Sequence, residues 1–285
     1  MHMHKEEPMK RIVSTLMMAS AALAVGLALM PITAAAKKPS PYVTVNCDAG
    51  QSIQAAIDRA NPSIPLTLTV VGTCEESVRI ERDDVVIDGQ SSAVVYGGFA
   101  VYSSNRVKFH NITVTGPGHA VSASGSSVTL YNVTAAGNEE SWAAVVANAN
   151  SAMGVYHSDI TGNDASGVAA GLNSSLVIGE SVIDDNVRGV HLTDISSAYI
   201  VDDTKIQGND TGIWAHNHSL VDLVDTDVSG NSLYGIQLAQ DAAATLRTGN
   251  TVSGNGIAGV FCSDTESSFS NQGEPLDDPV NCTGF

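Results

Sequence analysis

The chain alternates short apolar segments with polar or glycine-rich corners. The unit at residues 188–209 is typical, because its apolar segments at 189–192, 199–201 and 204–206 are too short for helices and rich in β-branched residues. Such segments predict three short strands per unit. Asn or Gly at a corner accommodates the left-handed backbone that a tight bend needs.

A Gly-Asn pair or a close relative marks one corner of each unit. The Asn residues are spaced by 25, 23, 23, 22 and 24 residues, at Asn138, Asn163, Asn186, Asn209, Asn231 and Asn255. In the last five units a glycine follows, and the next residue is apolar: Val168, Val190, Ile213, Ile236 and Val260. A period in this range indicates a solenoid, in which equivalent strands of stacked units pair in parallel.

The segment before the repeats has helical periodicity. Ile53, Ala56, Ile57 and Ala60 fall at positions i, i+3, i+4 and i+7, and Ser52 can cap the first turn. Asn61 and Pro62 stop the helix. A helix with one apolar face suits the open end of a solenoid, so the sequence predicts an N-terminal capping helix.

The N-terminus has the pattern of a secretory signal. Lys10 and Arg11 precede an apolar run at 12–32, and a small-residue cleavage site ends at Ala36. We therefore expect a signal peptide at 1–36, export to the periplasm or medium, and no membrane insertion after cleavage. The mature chain divides into an N-terminal cap at 37–63, repeats at 64–271 and a C-terminal cap or tail at 272–285.

Four cysteines lie in two groups near the ends of the mature chain. In an oxidising compartment the simplest pairing is Cys47 with Cys74 and Cys262 with Cys282. Zinc binding is the alternative, but the sequence contains no C-x-x-C pair.

Charge excludes one class of partner. The chain has 13 Lys and Arg against 30 Asp and Glu, a net charge of −17, and 43% hydrophobic residues. The apolar fraction is that of a globular protein with a core. No basic stripe exists to neutralise phosphates, so we expect no nucleic-acid partner.

Residues 49–57, the segment 85–89 and the Gly-Asn coils together resemble bacterial right-handed parallel β-helix proteins of the pectate lyase-like superfamily. The resemblance covers nearly all of residues 43–271. It implies an all-β fold, a right-handed parallel β-helix. It implies no single activity, because the superfamily includes lyases, hydrolases, epimerases, esterases and non-catalytic binders.

The resemblance suggests that a substrate lies along the outer face of the sheet that follows the Gly-Asn corner. Alternation places one outward column at Val146, Ala169, His191, Trp214, Gln237 and Phe261. The next outward column is Asn148, Gly171, Thr193, His216, Ala239 and Ser263. Stacked strands are about 4.8 Å apart, so His191, Trp214 and Gln237 are expected to be neighbours.

This cluster is the candidate site. Trp214 can stack on a sugar ring, and hydroxyl groups can bind Thr193, Gln237, His218 and Asp241. If the protein is an enzyme, the candidate catalytic residues are His191, Asp194 and His216. The alternative interpretation is a polar outer face whose tryptophan packs against a loop.

Residues typical of the superfamily's enzymes are missing from these two columns. We find no cluster of Asp and no Arg or Lys, because Arg188 and Lys205 are assigned to other positions of their units. We therefore expect non-catalytic engagement of a polysaccharide or cell-surface glycan, and the net charge favours neutral glycans. The alternatives are a polysaccharide lyase, a glycoside hydrolase or an epimerase, and a structural or adhesive surface protein.

A column of carboxylates offers a speculative metal site. Glu180, Asp203 and Asp225 share one position of successive units, and Asp227 follows nearby. Stacked carboxylates could hold Ca²⁺. The alternative is that they are ordinary bend residues. No cofactor is required by the sequence, and we expect a monomer.

Overall fold

The computed structural model describes residues 42–273 and 276–282, which wind into a parallel β-solenoid. This confirms the predicted all-β solenoid. The predicted signal peptide at 1–36 lies outside the described residues. None of the helices in those two described ranges has the length and hydropathy that a membrane crossing requires.

The secondary structure consists almost entirely of strands. Two short helices occur near the start, a 3-10 helix (Cys47–Ala49) and α1 (Ile53–Arg59). The first strands are β1 (Tyr42–Asn46), β2 (Leu66–Val71), β3 (Thr73–Ile80), β4 (Val85–Tyr102), β5 (Val107–Pro117), β6 (Val121–Ser124), β7 (Ser127–Glu139) and β8 (Ala143–Asn148). The middle strands are β9 (Ala152–Tyr156), β10 (Asp159–Thr161), β11 (Ser166–Ala170), β12 (Ser175–Gly179), β13 (Val182–Asp184), β14 (Arg188–Leu192), β15 (Ser197–Val201) and β16 (Thr204–Gln207). The last strands are β17 (Thr211–Ala215), β18 (Leu220–Leu223), β19 (Thr226–Ser229), β20 (Tyr234–Leu238), β21 (Ala243–Leu246), β22 (Thr251–Ser253), β23 (Ala258–Cys262), β24 (Ser268–Asn271) and β25 (Val280–Asn281).

Three parallel sheets form the sides of the solenoid. Sheet A contains the ends of β3 and β4, then β6, β8, β11, β14, β17, β20, β23 and β25. Sheet B contains β1, β2 and the starts of β4, β5 and β7, then β9, β12, β15, β18, β21 and β24. Sheet C contains the start of β3, the middle of β4 and the ends of β5 and β7, then β10, β13, β16, β19 and β22.

The core is a set of stacked aliphatic columns. In sheet A, Val190 pairs with Ile213 and Ile213 with Ile236, and all three side chains are fully buried. A β-branched residue fits this place because its side chain packs on its equivalents one coil above and below. The period in the sequence therefore fixes the register between coils.

The two residues of the Gly-Asn corner have different structural roles. Gly208 has a left-handed backbone, with φ 68°, whereas Asn209 does not. The Asn209 backbone N–H donates to Asn231 Oδ1 at 3.1 Å, and its side-chain amide donates to Ile183 O at 3.0 Å. The same arrangement recurs from Asn138 to Asn255, so these buried asparagines form a ladder. The predicted left-handed backbone at these corners is confirmed, and the residue before each asparagine adopts it.

One of the two predicted disulfides lies near each end of the solenoid. Cys47 is bonded to Cys74, and Cys262 is bonded to Cys282. At the C-terminal end, Asp278 Oδ2 accepts hydrogen bonds from the backbone N–H and side-chain amide of Asn255, both at 2.8 Å. Asp278 thus satisfies the last donors of the asparagine ladder. Helix α1 begins at the predicted Ser52 cap, whose hydroxyl accepts from Ala55 N; its role as a cap of the solenoid stays a prediction.

Candidate functional site

The outer side of sheet A, which we call the groove face, carries the predicted outward columns. Observed pairing joins Val146 to Ala169, then His191, Trp214, Gln237 and Phe261 in turn. This confirms that His191, Trp214 and Gln237 are neighbours in one column.

A column of inward-facing glycines reverses the alternation of the strands. The residues just before these glycines therefore form a third outward column, which simple alternation misses. A Cβ at Gly189 would lie 2.6 Å from Ile206 Cγ2 and from Gly212 O, so this position faces inward and only glycine fits. Because Gly189 and Val190 both face inward, Arg188 points outward, and its guanidinium lies 4.2 Å from the Trp214 ring centroid. The expectation that no Arg or Lys lies on this face is therefore wrong for Arg188. Lys205 lies in β16 of sheet C, as expected.

Trp214 lies inside a cluster of rings rather than open to solvent. Its ring centroid is 4.6 Å from those of both His191 and His216, with interplanar angles of 14° and 28°. Its Nε1 is buried and has no hydrogen-bond partner among the described residues. Trp214 therefore forms the base of the site, with Arg188 and two imidazoles packed against it.

The two imidazoles of this cluster share a hydrogen bond. His191 Nε2 and His216 Nε2 are 3.0 Å apart, much closer than the ring centroids at 5.2 Å, so the rings meet tip to tip. Gln240 Oε1 lies 3.3 Å from His216 Nδ1, which assigns the His216 proton to Nδ1. His191 Nε2–H then donates to His216 Nε2. This leaves His191 Nδ1 to accept a weak hydrogen bond from Ser166 Oγ at 3.5 Å.

Burial keeps His191 uncharged near neutral pH. Burial lowers the pKa of His191 to about 4, with smaller contributions from His216 and Arg188 that Asp194 opposes. Burial also lowers the pKa of the Arg188 guanidinium, although Asp210 opposes this shift. None of the ion pairs among the described residues includes Arg188. The site therefore combines the neutral imidazole of His191 with a cation that forms no ion pair in the described part of the chain.

Trp142 is the exposed aromatic ring at this site. It is 38% exposed and makes edge-on contacts with His191 and His119, at centroid distances of 5.9 and 6.4 Å. His119 and His191 lie three coil steps apart along the solenoid. The indole therefore spans the small residues between them, which explains why Ala143, Val146 and Ala169 are buried on an outer face.

Two different walls border the groove face. On one side, Asn217 Nδ2 donates to Asp194 Oδ1 at 3.1 Å and approaches Thr193 Oγ1 at 3.4 Å. His218 and Asp241 pair at 3.3 Å on the same side. The opposite rim exposes the apolar side chains of Val187, Leu233 and Ile257, and the exposed Asp210 lies between Val187 and Leu233. One wall is thus polar, and the other is mainly apolar.

The predicted acidic column does not form a three-ligand cluster. Glu180 Oε2 lies 2.5 Å from His157 Nε2, and Asp203 and Asp225 sit at exposed corners with left-handed backbones. Within the described ranges, the one group of three ligand-type side chains within 4.8 Å is Cys47, Cys74 and Glu76, and both cysteines are disulfide-bonded. Calcium at Glu180, Asp203, Asp225 and Asp227 stays a prediction.

Sequence reasoning missed Arg188, Trp142 and Gln240 as parts of the site. The glycine column is the signal for Arg188, because an obligatory inward glycine reverses the alternation at the start of the strand. Trp142 is one of two tryptophans in the chain and precedes a strand of sheet A by one residue. Gln240 lies on a corner, where alternation predicts no direction.

Comparisons with known proteins concern the fold. The family model described as the right-handed β-helix region matches residues 78–225. The solved structure of pectate lyase Pel9A has a TM-score of 0.58 at 15% identity, over 87% of this chain and 79% of that chain. The A-module of the Azotobacter vinelandii mannuronan C-5 epimerase AlgE4 has a TM-score of 0.40 at 15% identity, over 86% and 89%. A double mutant of the periplasmic alginate epimerase AlgG has a TM-score of 0.46 at 10% identity, over 85% of this chain and 84% of that chain. A search of curated proteins gives no significant match.

Proposed function

The chain belongs to the right-handed β-helix family, and on that premise we propose that it binds a polysaccharide or cell-surface glycan on the groove face without cleaving it. The observation that carries the proposal is the exposed Trp142 ring, held between two histidines beside a deeper cluster of Trp214, His216 and Arg188. An aromatic ring with adjacent polar groups matches the amphipathic surface of a sugar.

The polar groups around Trp142 suit hydroxyl recognition. Neutral imidazole offers both a donor and an acceptor, and the amide of Gln240 and the hydroxyl of Thr193 offer further partners. The apolar rim can cover the C–H face of a sugar while the polar wall meets its hydroxyl edge. A bound sugar ring would therefore lie on Trp142, with its hydroxyls toward Thr193 and Asp194.

The local charge differs from the net charge of the chain. The outward columns from His119 to Phe261 contain no Asp or Glu, and Arg188 is their unpaired cation. Repulsion by the acidic corners is screened over about 8 to 10 Å in physiological salt. The groove face can therefore accept a neutral sugar, and Arg188 can pair with a single carboxylate.

Binding of soluble polysaccharides to the purified protein tests this proposal. Affinity electrophoresis or calorimetry would use one neutral set, β-glucans and mannans, and one acidic set, pectate and alginate. Trp142→Ala is expected to weaken binding of the preferred polysaccharide at least about tenfold, as for a central aromatic anchor. The matched control is Tyr199→Ala, because Tyr199 is an exposed aromatic on sheet B. Equal loss in both variants, or no binding to any glycan, would contradict the proposal, and the second result would favour a structural or adhesive role.

Catalysis is the second candidate, and the His191–His216 hydrogen bond favours it. An uncharged imidazole with a lowered pKa can act as a base at neutral pH, and Arg188 can stabilise a nearby negative charge. Asp194 would orient the His191–His216 pair or compensate the positive charge that the pair gains on taking up a proton. Release of reducing ends or unsaturated uronates, lost in His191→Gln, would replace the binding proposal with a lyase or hydrolase. An epimerase would instead change the uronate composition without release of fragments.

The proposed setting is outside the cytoplasm. Two disulfides fit an extracellular or periplasmic protein. Export through a signal peptide at 1–36 is the matching proposal, and N-terminal sequencing of the secreted chain would test cleavage after Ala36.

A further inference from the structure

A cavity opens on the groove face near its N-terminal end. It measures about 300 Å³ and lies between Arg79 and Tyr102 on one side and His119 on the other. Ser77 and Ser122 line it as well. The cavity is separate from the Trp214 cluster, and it was not among the sites expected from the sequence.

Glycine lets the coils pack closely beside this cavity. A Cβ at Gly98 would fall 2.0 Å from His119 O, and a Cβ at Gly97 would fall 2.4 Å from Glu76 O, so the coils approach closely here. Gly118 adds a third position without a side chain at the rim. The result is a depression in the face where other coils carry side chains.

The side chains around the cavity are those that recognise sugars. The Arg79 guanidinium lies 4.4 Å from the Tyr102 ring centroid, and Tyr102 is 37% exposed. His119 lines the cavity, and its Nδ1 donates to Ala143 O at 2.6 Å, so Nε2 is left as an acceptor. Arg79 pairs with Glu81 at 2.5 Å, which compensates its charge. Hydroxyl donors and acceptors, rather than a carboxylate, fit this environment.

The cavity is in line with the site at Trp142. His119 lines the cavity and also contacts the Trp142 ring edge-on, so the two sites share a side chain. Tyr102 and His216 occupy the same outward column, five coil steps apart. At about 4.8 Å per step, they are about 24 Å apart.

We propose that this N-terminal cavity is a second sugar-binding subsite, and that one glycan chain lies along the solenoid axis from the Arg79–Tyr102 pair to Trp214. The inference rests on the proposed glycan-binding function. It adds a requirement for length, since a sugar residue and its linkage are about as long as one coil step. A chain of about six residues spans the cavity, Trp142 and the Trp214 cluster at about 4.8 Å per coil step, whereas a disaccharide covers only one of them.

A length series tests the proposal. The full-length mature protein would be titrated with β-1,4-gluco-, manno- and galacturono-oligosaccharides, from disaccharide to about octasaccharide. We expect affinity to rise about tenfold or more between the disaccharide and about the hexasaccharide, because the second subsite then binds within the same ligand. Tyr102→Ala is expected to abolish this rise and leave the affinity for short oligomers unchanged.

Two further variants guard against a folding defect. Ser122→Phe fills the cavity from its floor and leaves the Arg79–Tyr102 pair intact, so it is expected to act like Tyr102→Ala. Tyr96→Ala is the matched control, because Tyr96 is 53% exposed on the same strand but in sheet C. It is expected to bind all lengths as the wild type does.

The outcomes separate the two proposals. Affinity that does not rise with length, or a rise that survives in both cavity variants, overturns the second subsite while Trp142-dependent binding stands. Absence of binding at every length overturns the proposed function and the second subsite together.

Discussion

The two ends of the groove face each place an arginine on an aromatic ring, but the two arginines lie in different surroundings. Arg79 is exposed and paired with Glu81, and hydrogen bonding to Glu81 raises its pKa. Arg188 is half-buried on Trp214 without an ion pair in the described part of the chain, and burial lowers its pKa. A half-buried cation whose charge is only partly compensated costs stability, and the proposed ligand would supply the missing partner.

The coils beneath the two ends also differ in construction. From Asn138 onward, each coil has short strands and a buried asparagine in the ladder. The earlier coils have long strands, such as the 18-residue β4, and exposed corners where Asn132 Nδ2 donates to Asn111 Oδ1 at 2.8 Å. The ladder lies beside the glycine column of the C-terminal coils, since a Cβ at Gly189 would lie 3.0 Å from Asn209 Nδ2.

The largest expected effect is on the ladder. Asn209→Ala removes the acceptor of Asn186 N and Nδ2 and the donor to Ile183 O and Gln207 O, all buried or part-buried. Groups left without partners cost about 1 to 3 kcal/mol each at most, so we expect a loss of about 3 kcal/mol in the free energy of unfolding. Urea or thermal unfolding measures it.

The control for this prediction lies in the earlier coils. Asn132→Gly removes an exposed side-chain hydrogen bond and keeps a residue that suits the left-handed φ of 54°. We expect a change within about 0.5 kcal/mol. Equal losses in the two variants would show that the ladder is no stronger a support than the exposed corner.

The repeat explains why the fold was predictable in detail. Because Val190, Ile213 and Ile236 must stack, the period sets the register, and the register places His191 beside Trp214. The site was predictable only where alternation holds. Alternation fails at Gly189, where only glycine fits inward and Arg188 therefore points outward. It does not predict the position of Trp142, which depends on a corner and on contacts across several coils.

A smaller effect is expected from acid. The His191 pKa is about 4 in the folded chain against 6.5 in the unfolded chain, so below pH 6.5 the unfolded chain binds a proton that the folded chain does not. Stability therefore falls as the pH drops from about 7 toward 4, by about 2 kcal/mol at pH 5. Unfolding measured at pH 7 and pH 5 should show this difference reduced in His191→Gln. His218→Gln, at an exposed histidine, should keep the full wild-type difference. A full wild-type difference in His191→Gln would show that His191 does not cause the loss of stability in acid.

The smallest expected effect compares the two arginines directly. Methionine retains the length and apolar stem of arginine but removes the charge. Arg79→Met loses an ion pair and a cation–π contact in solvent, and we expect it to lower the melting temperature slightly. Arg188→Met loses a cation–π contact but also relieves a half-buried charge, so we expect the free energy of unfolding to stay the same or rise by up to about 1 kcal/mol. Glycan affinity should fall in this variant at the same time, because the charge that costs stability is the one that meets the ligand. A clear loss of stability in Arg188→Met with unchanged affinity would mean that Arg188 serves the fold, and the two ends of the groove face would then differ in packing alone.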